Sequence, residues 1–266
     1  MPPTPPARVL VIVPAWNEQD SVVATINEIR TTNPSIDVLV IDDGSLDATA
    51  QRAAAAGALV CRLPFNLGVG GAMRAGFRYA QRHDYDVAVQ VDADGQHDPS
   101  YLPTLVAALD DADVVIGSRF AGPDATYTVR GPRRWAMVLL GRVLSRLAHT
   151  TVNDATSGFR AADRRAIGVF AAHYPAEYLG DTVESLVIAL RTGCTIRQVP
   201  VQMRPRTAGT ASASPVRAAI YLFRAVVALT LALVRRWPTQ VAANEPVGQA
   251  VDTTVTLPAG QSVGRP

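Results

Sequence analysis

Short apolar runs alternate with longer mixed segments through the first half of the chain. Val9–Val13, Asp37–Ile41, Ala58–Arg62, Val87–Val91 and Val114–Ile116 are compact, rich in Val and Ile and bounded by turn residues, which predicts strands. Between them, Glu18–Thr31, Leu46–Ala56, Gly70–Arg82 and Pro99–Leu109 are predicted as helices. Strand–helix alternation at this spacing predicts parallel βαβ units: an α/β, Rossmann-like, mostly parallel sheet with helices on both faces. Such sheets bind ligands beyond the carboxyl ends of their strands, so the polar residues after each strand are the place to look.

The second half has a different pattern. Gly131–His149 reads as an amphipathic helix with Pro132 in its first turn; Arg142, Arg146 and His149 recur opposite Trp135, Leu139, Val143 and Leu147. Pro215–Trp237 reads as a second one. Its uncharged centre, Ala225–Val234, is 10 residues long, against the ~20 needed to cross a bilayer. Flanked by Arg217, Arg224, Arg235, Arg236 and Trp237, it suits a membrane interface or packing on the domain. Two such helices in one arginine-rich half favour the interface. From Pro238 onward the chain is polar and aperiodic, and is expected to be a disordered tail.

Composition adds bounds. The 266 residues are 48% hydrophobic, enough for one globular domain with additions. Two cysteines, Cys61 and Cys194, are too few for a disulfide framework and lack metal-ligand spacing, which favours buried free thiols and a reducing setting. The N-terminus has a short apolar run but no basic leader or small-residue cleavage site, so no signal peptide is expected. Net charge is only +2, but it is segregated. Residues 1–118 hold 7 Arg against 15 acids, residues 119–236 hold 17 Arg against 6, and there is no Lys. Solvated arginines explain part of that excess; the segregation suggests that the second half meets an anionic surface or ligand.

Four strand ends carry polar motifs: Pro14-Ala15-Trp16-Asn17-Glu18, Asp42-Asp43-Gly44-Ser45, Asn66-Leu67-Gly68-Val69-Gly70-Gly71 and Asp92-Ala93-Asp94. Each alone could be turn chemistry, a Ser cap or a glycine-rich helix entry. Four on one rim favour phosphate, because helix N-termini and exposed amides gather there. Dinucleotide binding by GVGGAMRAG is excluded: the third glycine of G-x-G-x-x-G falls on Met73, and the loop follows the third strand, not the first.

A D-x-D at a strand end that turns can aim both carboxylates at one cation, and such hard oxygen ligands suit Mg²⁺ or Mn²⁺ completed by water and substrate phosphate. An EF-hand is excluded, since Gly95 is at the fourth loop position instead of the sixth and no Glu closes the loop. The bland alternative is a capped turn before the helix near Pro99.

Taken in order, PAWNE, IDDGSLD, NLGVGGA, DADGQH, GSRF, TSGFR and VPVQMRPRTAG resemble the family 2 glycosyltransferases of GT-A fold, in particular polyprenyl-phosphate sugar synthases related to dolichol-phosphate mannose synthase. The resemblance spans about residues 8–212. It implies inverting transfer of a sugar from a nucleotide-diphosphate donor, UDP- or GDP-linked, to a polyprenyl monophosphate at the cytosolic membrane face. Asp92, Asp94 and Gln96 would hold the metal. Pro14, Ala15, Asn17, Glu18, Asp42, Asp43 and the loop with Asn66, Gly68 and Gly70 would hold the nucleotide. Arg119, Arg130 or its neighbours Arg133 and Arg134, and Arg206 would meet phosphates. Asp154 with Thr156-Ser157-Gly158 would contact the donor sugar, and His97 would position the metal site by hydrogen bonding. Arg164 and Arg165 are read as solvated. The family often ends R-x-x-G-x-S; here Ala211 stands where serine is expected, which affects acceptor contacts at that loop.

The implied domain plan is a flexible 1–7, a catalytic domain over 8–212 with an interfacial helix near 131–149, a C-terminal amphipathic helix over 213–237, and the tail over 238–266. A phosphate monoester acceptor, with a second pKa near ~6, is largely dianionic at neutral pH and needs no strong base. A hydroxyl acceptor would need one, for which Asp181 is the candidate; Glu184, three residues on, is read as acidic first-turn capping. Rival functions are therefore a transferase acting on a glycan or lipid hydroxyl, and a non-catalytic nucleotide-sugar-binding module serving a partner membrane protein. Nucleic-acid binding is disfavoured, because aromatic interleaving and known module patterns are absent.

Overall fold

The apolar runs become a twisted central sheet because each is buried on both faces and must find apolar cover on each side. The computed structural model describes residues 7–119, 141–148, 150–175, 181–204 and 255–256. Strands β1 (Val9–Ala15), β2 (Asp37–Asp42), β3 (Leu59–Arg62), β4 (Val87–Gln90), β5 (Val114–Ser118), β6 (Arg160–Asp163), β7 (Ile196–Pro200) and β8 (Val255–Thr256) lie in the order β7-β5-β6-β4-β1-β2-β3-β8. The β4-β1-β2-β3 block is parallel throughout.

Alternate residues of β1 serve different layers. Leu10 and Ile12 join one core with α3 (Gly68–Arg82), α6 (Arg164–His173) and α7 (Asp181–Arg191). Val11 and Val13 join the other, with α1 (Val22–Thr32), α2 (Thr49–Ala55) and α4 (Leu102–Ala107). Helices on both faces of a mostly parallel sheet are the architecture the pattern predicts. The helix expected over Pro99–Leu109 divides into a 3₁₀ turn, α4 and a second 3₁₀ turn. The one expected from Glu18 starts at Val22, because Glu18–Ser21 forms a turn on the Glu18 carbonyl.

Three strands and a helix go beyond the predicted pattern. β6 is antiparallel to both β4 and β5, so the sheet is mixed at its centre. Its sequence, RAAD, has no β-branched residue, and its strand state comes from neighbours on both edges. α6 follows directly, capped by the Asp163 side chain accepting from Ala166 N–H at 2.8 Å. β7 pairs parallel to β5. Within the stretch expected as tail, Val255–Thr256 pairs antiparallel with Val60–Cys61.

Over 141–148 the chain is helical (α5), with Arg142 and Arg146 exposed and Leu144 fully buried in the core. That stretch packs on the domain; Ser145 Oγ accepts from Val152 N–H at 2.8 Å. Residues 131–140, His149 and the helix expected over 215–237 lie outside the described residues.

The charge segregation is resolved partly within the fold. Arg164 pairs with Asp84 and Asp86, Arg165 with Asp113, Arg197 with Asp111, and Arg204 with Glu28 and Asp98. Four arginines of the basic half thus meet acids of the acidic half, and Arg164 and Arg165 are ion-paired instead of merely solvated. Asp113 also accepts from the Thr195 N–H and hydroxyl at 2.6 and 2.7 Å.

Candidate functional site

Because β1 to β4 are parallel neighbours and β5, like β4, is antiparallel to β6, the carboxyl ends of β1 to β5 share one rim, and β6 delivers the loop that precedes it, 154–159, to that same rim. The four sequence motifs and this fifth loop are thereby brought together.

The first two loops are tied to one another. Asn17, in the left-handed region at φ 55°, donates its N–H to Ser45 Oγ at 2.9 Å and accepts from Leu46 N–H through Oδ1 at 2.9 Å. Glu18 N–H donates to Thr49 Oγ1 at 2.9 Å, and Ser21 Oγ donates to Glu18 Oε2 at 2.7 Å. Half-buried Pro14 precedes Ala15, whose carbonyl accepts from Asp43 N–H at 2.9 Å.

The two aspartates at the end of β2 play different parts. Asp42 is fully buried: Oδ1 accepts from Ser45 N–H at 3.0 Å, and Oδ2 sits 3.2 Å from Arg62 Nε. That approach is an ion pair without hydrogen-bond alignment, for Oδ2 has no hydrogen-bond donor. The expected nucleotide contact by Asp42 is therefore not what this side chain offers; it builds the turn. Asp43 accepts from Leu67 N–H at 2.7 Å and Gly68 N–H at 2.8 Å, joining β2 to the first turn of α3. Burial pushes its carboxyl up, the two amides pull the other way, and the Asp42 charge adds to the rise. Gly44, at φ +71°, allows this approach: a Cβ there would lie 2.7 Å from the Phe65 carbonyl carbon. Asn66 is exposed on this loop, while Gly68 and Gly70 are buried in the turn that opens α3.

After β4, Asp92 is held from several sides. Oδ1 accepts from Gln90 Nε2 at 2.9 Å, Oδ2 lies 3.6 Å from His97 Nε2, and its N–H donates to His97 Nδ1 at 3.0 Å. His97 is buried and stacked on Phe159, centroids 4.8 Å apart. Asp94 is nearly buried and accepts from Gln96 N–H at 3.1 Å; Gln96 is half-buried beside it. Among the described residues no group of three or more His, Cys, Asp or Glu side chains could hold a metal ion. Two hard carboxylates on a rim, one of them 37% exposed, fit a divalent cation whose remaining ligands are substrate phosphate and water.

The GSRF arginine is committed to a partner. Arg119 Nε and NH2 donate to Asp154 Oδ2 and Oδ1, both at 2.7 Å, and NH2 also reaches Thr156 Oγ1 at 2.9 Å. Asp154 is fully buried, so it orients Arg119 from within the fold, and its carboxylate has no exposed surface for the expected donor-sugar contact. Gly158 brings its loop against the acidic pair: a Cβ there would lie 3.2 Å from Asp92 Oδ2.

Asp181 opens α7, but its side chain, and Arg130, Arg133, Arg134 and Arg206 entirely, lie outside the described residues. The sequence passes over Gln90 and Thr49 as site-building residues and offers Ser45 only within its motif or as a cap. A polar residue at an otherwise apolar position of β4 is the signal that marks Gln90. The large exposed apolar side chains among the described residues, Trp16, Leu46, Phe65, Leu67 and Val69, all lie on the loops after β1, β2 and β3 or in the first turn of α3.

A model of the family described as glycosyl transferase family 2 matches residues 10–170. The chain is 36% identical over 215 residues to an undecaprenyl-phosphate mannosyltransferase of Micrococcus luteus, covering 78% of this chain and 88% of that protein. It is 30% identical over 228 residues to a polyprenol monophosphomannose synthase of Mycolicibacterium smegmatis, covering 82% and 86%. Among solved structures, glucosyl-3-phosphoglycerate synthase of Mycobacterium tuberculosis, in complex with Mn²⁺, uridine diphosphate and phosphoglyceric acid, superposes with a TM-score of 0.65 at 22% identity, over 86% of this chain and 79% of that one. At that identity the match shows the shared fold, which is GT-A.

Proposed function

Since this chain belongs to glycosyltransferase family 2 and is a glycosyltransferase, we propose that it moves a sugar, with inversion, from a nucleotide-diphosphate donor to a polyprenyl monophosphate at the cytosolic face of a membrane. The observation that carries this is the Asp92–Asp94 pair, set on a rim whose other loops are held by Asp43 and Asn17. The names of the M. luteus and M. smegmatis relatives, both acting on polyprenyl carriers, support the acceptor class.

The β1–α1 and β2–α2 loops, held to one another through Asn17, Ser45 and Leu46, form the floor on which the nucleotide would rest. Asp92, Asp94 and Gln96 would hold Mg²⁺ or Mn²⁺, which when bound offsets charge developing on the departing diphosphate. Asp43, accepting from the Leu67 and Gly68 amides, fixes the N-terminal turn of α3 beside the same region. Arg119, fixed by Asp154, adds an oriented cation at the rim that can stabilise the leaving group without reorganising. A dianionic phosphate acceptor attacks without deprotonation, so this reaction makes no demand on Asp181 as base.

A peripheral position at the membrane is supported by the exposed Trp16, Leu46, Phe65, Leu67 and Val69 on the site rim. None of the described helices is long and apolar enough to cross a membrane.

The test is radiolabel transfer by purified protein with Mn²⁺ or Mg²⁺, a short polyprenyl phosphate and a panel of UDP- and GDP-sugars. Metal-dependent movement of one sugar into the lipid phase, absent in Asp94→Ala, is the expected result. No transfer from any donor, with nucleotide binding intact by calorimetry, would overturn the acceptor and favour a hydroxyl. In that case Asp181→Asn should abolish turnover on the true acceptor.

A further inference from the structure

We propose that Arg160 is a positioning residue for the transfer: it holds the loop beside Asp92 and the first turn of α7 in a single frame. Arg160 is buried in β6, opposite Gln90 and Ile116. Its guanidinium reaches two separate segments. Nε donates to the Ser157 carbonyl and NH2 to the Ala155 carbonyl, both at 2.7 Å. NH1 donates to the Thr182 carbonyl at 2.7 Å and to Ser185 Oγ at 3.0 Å. Hydrogen bonds from a cation are shorter and stronger than neutral ones, and a planar fork fixes direction as well as distance.

What those acceptors belong to gives the arrangement its meaning. Ala155 and Ser157 flank the part of the loop that leads into Gly158. A Cβ on Gly158 would stand 2.9 Å from Gln90 Nε2 and 3.2 Å from Asp92 Oδ2, so this backbone is one wall of the Asp92 carboxylate. The next residue, Phe159, stacks on His97, which accepts from the Asp92 N–H. A shift at the Ser157 carbonyl is therefore a shift at Asp92. On the other side, Thr182 follows Asp181, and Ser185 lies one turn further along α7. Holding these two segments at one separation requires the full width of a guanidinium; an ammonium at the end of a lysine stem reaches only part of the set.

The proposal rests on the transferase reading given above, and its test separates the two. Arg160→Lys is compared with Asp163→Ala, which removes the α6 cap at the far end of the same strand and serves as the control for lost stability. Affinity for Mn²⁺ with UDP, and separately with GDP, is measured by calorimetry, alongside kcat, donor KM and Tm. In Arg160→Lys, a fall of about 10-fold in Mn²⁺–nucleotide affinity is expected, with a rise in donor KM of similar size and a fall of about 10- to 100-fold in kcat. In Asp163→Ala, Tm falls while affinity and kcat stay within about twofold of wild type, since that cap lies away from the rim. Arg160→Lys changing affinity and kcat no more than the control does would overturn the proposal. If Arg160→Lys does not fold, Ser185→Ala carries the test: it removes one acceptor at α7, and kcat should fall about threefold relative to the control. A wild-type protein that transfers no sugar to polyprenyl phosphate overturns the acceptor reading alone, because the Mn²⁺–nucleotide affinity still reads the placement of Asp92.

Discussion

Asp154 is where burial reassigns a residue. As a letter next to Thr-Ser-Gly it reads as a sugar contact; fully buried against Arg119, it acts as an anchor for a cation. Removing one member of a buried ion pair strands the other, so Asp154→Ala should cost about 3–5 kcal/mol, whereas Arg119→Met with Asp154→Leu should recover much of that. Urea unfolding of the wild type and these two variants checks this, and a double variant no more stable than the single one would contradict it. Asp113 gives a pH-dependent counterpart. Burial pushes its carboxyl up, but the Thr195 N–H and hydroxyl, aided by the Arg165 guanidinium, outweigh burial and hold it below its ordinary 3.8. A depressed carboxylate contributes stability that is present above its unfolded pKa and is lost as pH falls through the folded one. Asp113→Asn should therefore cost roughly 1–3 kcal/mol at pH 7 and flatten the loss of stability below pH ~4. Denaturant midpoints taken from neutral pH down to acid measure both.

Among the elements, α3 shows how close packing depends on what is missing. A Cβ on Gly76 would lie 2.4 Å from Ile12 Cγ2, in a strand residue that is itself fully buried. The helix sits directly on β1 because this position carries no side chain. Gly76→Ala should destabilise by about 1–3 kcal/mol through overpacking, which the denaturant midpoint measures. Since α3 also opens on the amides held by Asp43, its displacement should weaken nucleotide binding, which calorimetry on the folded variant can read. β6 was hidden for a related reason. RAAD is strand only because β4 and β5 pair with it on either edge, and no local pattern encodes that. The helix after it was more legible: Asp163 three residues before Ala166, ahead of an apolar-periodic RRAIGVF, is a capping signal.

At the scale of the whole molecule, the site is a property of the rim, and ligands that bind there should stabilise the fold. Mn²⁺ with UDP or GDP at a hundredfold excess over Kd should add about 2.7 kcal/mol, a rise in Tm of about 5–10 °C for a chain of this size. Thermal scans with and without EDTA check it: the rise should vanish with chelation and in Asp94→Ala, and a rise insensitive to EDTA would contradict a metal-held donor. Charge is settled at this scale too. The segregation along the chain suggested an anionic partner, yet Arg164, Arg165, Arg197 and Arg204 meet acids of the other half across the folded surface. Exposed pairs of this kind contribute little each, about 0–1 kcal/mol, but they reduce the charge available for outside ligands. By itself the sequence determined the βαβ alternation, both helical layers and the polar motif after each parallel strand, because period and turn chemistry are local and survive as patterns in the letters. Only the tertiary structure decided which polar residues face the rim and which are absorbed in building it. Asp42 and Asp154 are fully buried, Gln90 and Arg160 emerge as supports, and β6 runs against its neighbours, since burial, pairing and hydrogen-bond partners all come from residues distant in the chain.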